Sequence, residues 1–360
     1  MQLVICDVTH VRFCSQIIVF FDKSSNNCAT TTTENYMSWD KDDPTNPKTG
    51  AIKITKVPEP KSKNRDDCVL SDHLDPRNRK SDVYEATLAG KCKTLLPIIV
   101  SIDGSASMKK IPTYLQKYLH GIFDSLISQG IDCPNVMIMS HDDEHAVPPD
   151  AAFQMSGFLE NKVALSRTIN DDVFFTGCGG GNKGEAYHLP FYAAANHTNF
   201  KAEGKGFLFI IGDEEPYYGA GDPAKRGTSP EIALEIFGDV LDNEVPMLQS
   251  VKKAAEKYHI FVIRPLHTNN GPTQKITKAW QKLFELAGVD SDNVLEPTDT
   301  VAILPAMAYA ICLTRGDNVE KLEAVLKEMG VKNLCSARAT VANLMAKKHP
   351  GGAPTAPSCG

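Results

Sequence analysis

At 360 residues, with 42% hydrophobic and 23% charged side chains, the chain is long enough for one large or two modest globular domains. Its formal net charge of −6 argues against a nucleic-acid binder, whose footprint is basic. The longest early apolar run, CSQIIVFF from Cys14, is too short to span a bilayer and lacks the basic start and cleavage site of a signal peptide. No membrane role is indicated, and the expected compartment is the cytoplasm. The ten cysteines include no CxxC pair and no cluster with histidine at zinc-ligand spacing, so free thiols are expected.

Residues 1–94 are polar, rich in turn formers and broken by proline. They can bury little apolar surface, so an irregular extension is expected, partly disordered, with an edge strand at most. The stretch AIKITKV, residues 51–57, alternates as such a strand would.

From residue 95 the pattern changes. LLPIIVSI (95–102) is a continuous apolar run, as in a strand buried on both faces. Residues 112–130 carry apolar side chains at helical spacing, from Tyr114 and Leu115 to Leu126 and Ile127. VMIMS (136–140) reads as a second buried strand. Residues 184–198 read as a helix that Pro190 kinks early. GFLFII (206–211) is a third strand. Ser229 caps a helix with Pro230 at its first position. Another helix over 245–258 leads into a fourth strand, HIFVI (259–263). A helix closed by Gly288, a short strand at 293–297 and a helix over 299–314 follow. Strands alternating with helices predict an α/β fold: a doubly wound, mainly parallel sheet with helices on both faces. This domain is expected to span 95–315. Residues 316–360 form a tail with one amphipathic helix stopped at Gly330, a second helical stretch over 334–348, and a disordered end.

In such sheets ligands bind beyond the carboxyl ends of the strands. Three segments should meet there: Asp103-Gly104-Ser105-Ala106-Ser107, the glycine-rich loop TGCGGGNKGEAY (176–187), and GDEEPYY (212–218). Carboxylate and hydroxyl oxygens suit a hard cation such as magnesium, manganese or calcium. The plain alternative is that Ser105 and Ser107 only cap the following helix. A further cluster, HDDEHAVPPD (141–150), follows the second strand and reads as an exposed acidic turn rather than as further metal-supporting groups or a specificity loop beside the site.

Phosphate chemistry can be tested on the same letters. GCGGGNKGE has its lysine after asparagine, so it is not a P-loop. Only Gly104 follows the first strand, so the dinucleotide fingerprint fails too. A haloacid dehalogenase-type phosphohydrolase needs a nucleophilic aspartate where this chain has Ser101. A metal-assisted phosphoester hydrolase would have to draw its base from His141 or Glu214, and no complete catalytic motif is present, so no enzyme is expected.

Asp103-Gly104-Ser105-Ala106-Ser107 resembles Asp-x-Ser-x-Ser, the first motif of the von Willebrand factor A (vWA) domain, and the resemblance covers about 95–315. GGGNKGEAYHLPFYAAANHT with FIIGDEEPYY is also similar to a group of bacterial and phage proteins carrying this domain. The resemblance implies a metal ion-dependent adhesion site. Asp103, Ser105, Ser107 and Asp213 would be ligands, and Asn182 would stand where the family has a threonine, with Glu185 a turn later. Thr176 is the other substitute. The implied function is divalent-cation-dependent protein binding, in which a partner's acidic side chain completes the coordination. A structural or assembly module with a degenerate site is the further alternative that Asn182 raises.

Overall fold

The structure, a computed structural model, describes residues 72–78, 84–86, 94–143, 147, 152–173, 175, 185–216, 227–266, 274–331 and 334–348. All belong to the unit Pro60–Gly360. The strands among them are β1 (Tyr84–Ala86), β2 (Leu95–Asp103), β3 (Cys133–His141), β4 (Phe153–Met155), β5 (Thr198–Phe200), β6 (Gly206–Ile211), β7 (Gly227–Thr228), β8 (Val245–Pro246), β9 (Tyr258–Ile263) and β10 (Val294–Leu295). Six form one sheet in the order β10-β9-β6-β2-β3-β4. Every pairing in it is parallel except that of β3 with β4.

The described helices are α1 (Lys110–Tyr118), α2 (Gly121–Ser128), α3 (Lys162–Arg167), α4 (His188–Asn196), α5 (Pro230–Ile232), α6 (Met247–Lys257), α7 (Gln274–Ala287), α8 (Ile303–Arg315), α9 (Val319–Glu328), α10 (Leu334–Thr340) and α11 (Ala342–Lys348). They cover both faces of the sheet, as the alternation of apolar strands and amphipathic helices requires. Successive strand residues point to opposite faces. Ile98, Val100 and Ile102 of β2 therefore join Phe207, Phe209 and Ile211 of β6 in one core, with Leu115, Phe123 and Tyr309 from the helices. Ile99 joins Leu208, Ile210, Met137 and Met139 in the other, with Leu189, Val251 and Trp280. By the same alternation, Ser101 and Asp103 share the face of the second core.

Local departures from the sequence reading have identifiable causes. The helix expected over 112–130 is two helices. At the joint the N–H groups of Ile122 and Phe123 bond three residues back, to Leu119 and His120 carbonyls at 3.0 and 3.3 Å. A Cβ on Gly121 would lie 2.9 Å from Met329 Cε, so the joint also packs closely on the segment after α9. Pro190 does not kink a helix already under way. The helix starts at His188, and the proline falls in its first turn, where a missing N–H has no intrahelical acceptor. The helix capped by Ser229 is one α turn, α5, that widens into a π turn at Ala233–Phe237 and stops at left-handed Gly238. The stretch 334–348 is two short helices. The antiparallel edge strand β4 was not foreseen. Within the N-terminal segment, β1 pairs with β5, while the alternating stretch 51–57 lies outside the described residues. No helix among the described residues is long and apolar enough to cross a membrane.

The centre of the sheet leaves no room for a side chain at Gly206. A Cβ there would lie 2.6 Å from the Pro97 carbonyl oxygen and 3.0 Å from the Tyr258 ring. Gly206→Ala should lower unfolding stability by roughly 1–3 kcal/mol, the usual cost of overpacking. A urea midpoint equal to that of the parent chain would contradict the close approach of β2 and β6.

Candidate metal centre

The site is built where β2 and β6 end side by side. Ile102 is in register with Ile211, so the chain leaves both strands at the same level, at Asp103 and, two residues past Ile211, at Asp213. Gly104 turns the chain and donates its N–H to the His141 carbonyl at 2.8 Å. A Cβ on it would meet Asp142 Oδ2 and Ser140 Oγ, each at 3.3 Å. On the β6 side, Gly212 donates to the Ile263 carbonyl at 3.1 Å, which ties the start of the turn to β9.

The two serines do not cap. Ser105 precedes the short turn Ala106–Met108 in extended conformation and its side chain makes no capping bond, and the next helix starts from Lys109. The hydroxyls instead form a bridge. Ser105 Oγ is 3.1 Å from Ser107 Oγ, and the Ser107 hydroxyl donates to Asp213 Oδ1 at 3.0 Å. The Ser105 N–H donates to Asp103 Oδ1 at 2.8 Å. Four residues picked out from the sequence are thus joined by hydrogen bonds, Asp103 through the Ser105 N–H and Asp213 through the two hydroxyls. Asp103 and Asp213 are both 0% exposed, while Ser107 is half-buried, so the carboxylates lie beneath an edge that opens at Ser107.

Burial disfavours the charged form of a carboxyl, and a neighbouring negative charge adds to this. Burial, then Asp213, then Asp142 push Asp103 up to about 8 against the lowering bonds from Ser105. Burial pushes Glu185 up to about 10, with the charges of Asp103, Asp142, Asp143 and Asp213 adding to it. At the end of β9 the buried Arg264 is directed elsewhere, with Nη1 2.7 Å from Glu296 Oε1.

Some neighbours carry no sequence signal. Tyr187, just before α4, donates its hydroxyl to Asp103 Oδ2 at 3.1 Å and accepts the Glu214 N–H at 3.2 Å. Its ring meets Trp280 edge-on at 5.2 Å, and the Trp280 Nε1–H donates to the Glu214 carbonyl at 2.9 Å. Gly212 is what admits this hydroxyl, since a Cβ there would lie 2.1 Å from it. The expected exposed acidic turn is corrected by the structure at its start. His141, Asp142 and Asp143 are buried, because β3 runs through His141 and the Asp142 backbone pairs with Ala152 and Ala186. His141 Nδ1 is 2.9 Å from Ser101 Oγ, and burial followed by His188 pulls the imidazole down to about 3.

Asn182 and Thr176 lie outside the described residues. Among the described residues no three His, Cys, Asp or Glu side chains converge as a metal-holding group. The donor set is instead two carboxylates and two hydroxyls. Such all-oxygen donors, two of them carboxyl groups withheld from water, fit a hard divalent cation.

No family model and no curated protein matches the chain. Among solved structures it is similar to the pilus adhesin SpaC from Lactobacillus rhamnosus GG, with 11% identity over 64% of this chain and 32% of that one, at a TM-score of 0.41. It is similar to the von Willebrand factor domain of the type V pili tip protein Mfa5 from Porphyromonas gingivalis, with 12% identity over 68% of this chain and 98% of that one, at a TM-score of 0.38. Proximal thread matrix protein 1 from the mussel byssus, with a zinc-occupied MIDAS motif, matches at 14% identity over 62% of this chain and 48% of that one, at a TM-score of 0.38. The chain therefore spans about a third of SpaC and about half of the thread protein. The solved structures similar to it thus include von Willebrand factor domains, and at this level of likeness the site is read from its own residues.

The raised carboxyls set a pH dependence for the metal-free protein. A folded-state value near 8 for Asp103, above its ordinary 3.8, means that stability is full below the ordinary value and is lost as pH rises through the folded one. Glu185 acts in the same direction. In chelator, Asp103→Asn should therefore be more thermostable than the parent at pH 8. A gain of ~1 kcal/mol would raise the midpoint by roughly 1–3 °C for a chain of this length. The gap should close toward pH 4. A parent protein that gains stability from pH 4 to 8 relative to the variant would contradict this electrostatic account.

Proposed function

We propose that the chain is a divalent-cation-dependent protein-binding module of the vWA type, acting in the cytoplasm. Asp103, Ser105, Ser107 and Asp213 would hold the ion, with Asn182 supplying an amide oxygen from the glycine-rich loop. Magnesium is the first choice, with manganese and calcium as alternatives suited to the same donors. When bound, the cation offers an open coordination position, which an acidic side chain of the partner protein would fill. The observation that carries this reading is the orientation of the serine hydroxyls. They forgo capping and lead to the buried Asp213 carboxylate, while the Ser105 N–H holds Asp103.

Two described residues disfavour the hydrolase alternative. A general base has to reach the proton it removes. His141 is buried beneath the edge with its Nδ1 engaged by Ser101, and Ser101 stands where a phosphoryl-accepting aspartate would be needed. Asp103, Ser105, Ser107 and Asp213 would therefore supply geometry and charge for binding rather than a nucleophile.

Manganese gives a direct test, since bound Mn2+ enhances water-proton relaxation in proportion to its exchangeable waters. The protein should bind it saturably, EDTA should reverse binding, and Ser105→Ala with Ser107→Ala should weaken it by at least ~10-fold, the loss expected for about 1.4 kcal/mol. Added acetate, a stand-in for the partner's carboxylate, should lower the enhancement by displacing water from the open position. The same preparation should not turn over para-nitrophenyl phosphate above background. Metal-dependent turnover that disappears in Asp103→Asn would replace the binding reading with the hydrolase.

A further inference from the structure

We infer that Tyr187 is a positioning residue for the cation site, one hydroxyl that sets the Asp103 carboxylate and the Asp213 turn in fixed relation to each other. The inference rests on the reading of Asp103 and Asp213 as cation ligands. A carboxylate on an otherwise free side chain can rotate its plane. Here both oxygens of Asp103 are engaged, Oδ1 by the Ser105 N–H at 2.8 Å and Oδ2 by the Tyr187 hydroxyl at 3.1 Å. Two donors on opposite oxygens fix that plane while leaving further lone pairs for a cation. The same hydroxyl accepts the N–H of Glu214, the residue after Asp213, at 3.2 Å. It thus spans the two turns whose strands end side by side, and its position determines how far apart the carboxylates can stand.

The surroundings give Tyr187 little freedom to do otherwise. Its ring lies 4.9 Å from the His141 ring and 5.2 Å edge-on from Trp280, and the residue is fully buried. Trp280 holds the turn from its other side through the Glu214 carbonyl at 2.9 Å, and Lys275, on the same helix, pairs with Glu215 at 2.5 Å. Gly212 completes the fit, since any Cβ would occupy the space of the hydroxyl. Partners that orient metal ligands typically contribute a ~10–100-fold factor in metal affinity.

The test is calorimetric titration of the full chain with MnCl2, with thermal midpoints measured in EDTA on the same samples. Tyr187→Phe keeps the ring and removes only the hydroxyl, and it should weaken Mn2+ binding by ~10–100-fold. Gly212→Ala, which crowds the hydroxyl away from Asp103, should weaken it likewise. Tyr258→Phe is the control. It deletes another buried hydroxyl, bonded to Thr198 Oγ1 at 2.7 Å on β5, and should lower the midpoint without changing the Mn2+ affinity. Parent-like affinity in Tyr187→Phe overturns the inference and leaves the proposed function standing. Equal weakening by Tyr258→Phe also overturns it, since the loss would then be a general consequence of reduced stability. Absence of saturable binding by the parent chain overturns both.

Discussion

Asp103 and Asp213 leave adjacent parallel strands at one level, and Ser105 and Ser107 link them, through the Ser105 N–H on one side and the two hydroxyls on the other. Two carboxyl groups fully withdrawn from water and close to each other form an unfavourable arrangement. The surrounding features make sense as its supports. Gly104 and Gly212 let the chain turn without side chains in the way, Tyr187 braces Asp103, and Trp280 braces the Asp213 turn from α7. A purely structural sheet edge would gain stability above neutral pH from replacing Asp103 with a neutral residue. In the proposed reading, the pair lowers the stability of the metal-free protein and gives a place where positive charge is favoured.

The fold supplies that place through strand parity. Apolar side chains of β2 alternate between the two cores until Ile99, after which the same face carries Ser101 and Asp103. Polar groups on a buried face need partners. Ser101 finds His141 across the β2–β3 pair, and Asp103 finds Tyr187 and the Ser105 backbone. The polar layer is therefore a continuation of the second core, with hydrogen bonds replacing apolar packing toward the strand ends. It also explains why His141 is neutral and held rather than aimed at solvent.

What could be read from the sequence follows from how local each signal is. Continuous apolar strands and helices at their own period announce the doubly wound sheet, since every residue of such an element reports on its own burial. That Asp103, Ser105 and Ser107 would meet Asp213 was legible because one short turn carries the first three and Asp213 directly follows a neighbouring strand and a glycine. The contact of Tyr187 with Asp103 was not, since it depends on a glycine 25 positions later and on a tryptophan on α7 that only the folded chain brings together. The acidic stretch after β3 misled for a related reason. Charged letters suggest exposure, but the register that pairs His141 with both Asp103 and Phe153 takes the start of that stretch into the sheet. The joint between α1 and α2 was equally hidden, because Gly121 is placed by its approach to Met329 and not by any local break in the apolar pattern.

The same electrostatics bears on what the site can recognise. A partner's acidic side chain approaching the bare pair would meet like charge in a poorly hydrated setting, where repulsion is at its strongest. With a divalent cation in place, the pair is formally neutralised and an incoming carboxylate meets an attractive centre. In the proposed reading, cation and acidic partner are therefore coupled ligands, each raising the affinity for the other by the same factor. The coupling needs no moving part, because it follows from the sign of the charges already present. It also explains why carboxylates and hydroxyls serve better here than a lysine or arginine would. A fixed cation on a side chain could attract an acid, but it would do so permanently, and it would lack the open coordination geometry that selects one carboxylate pose over another.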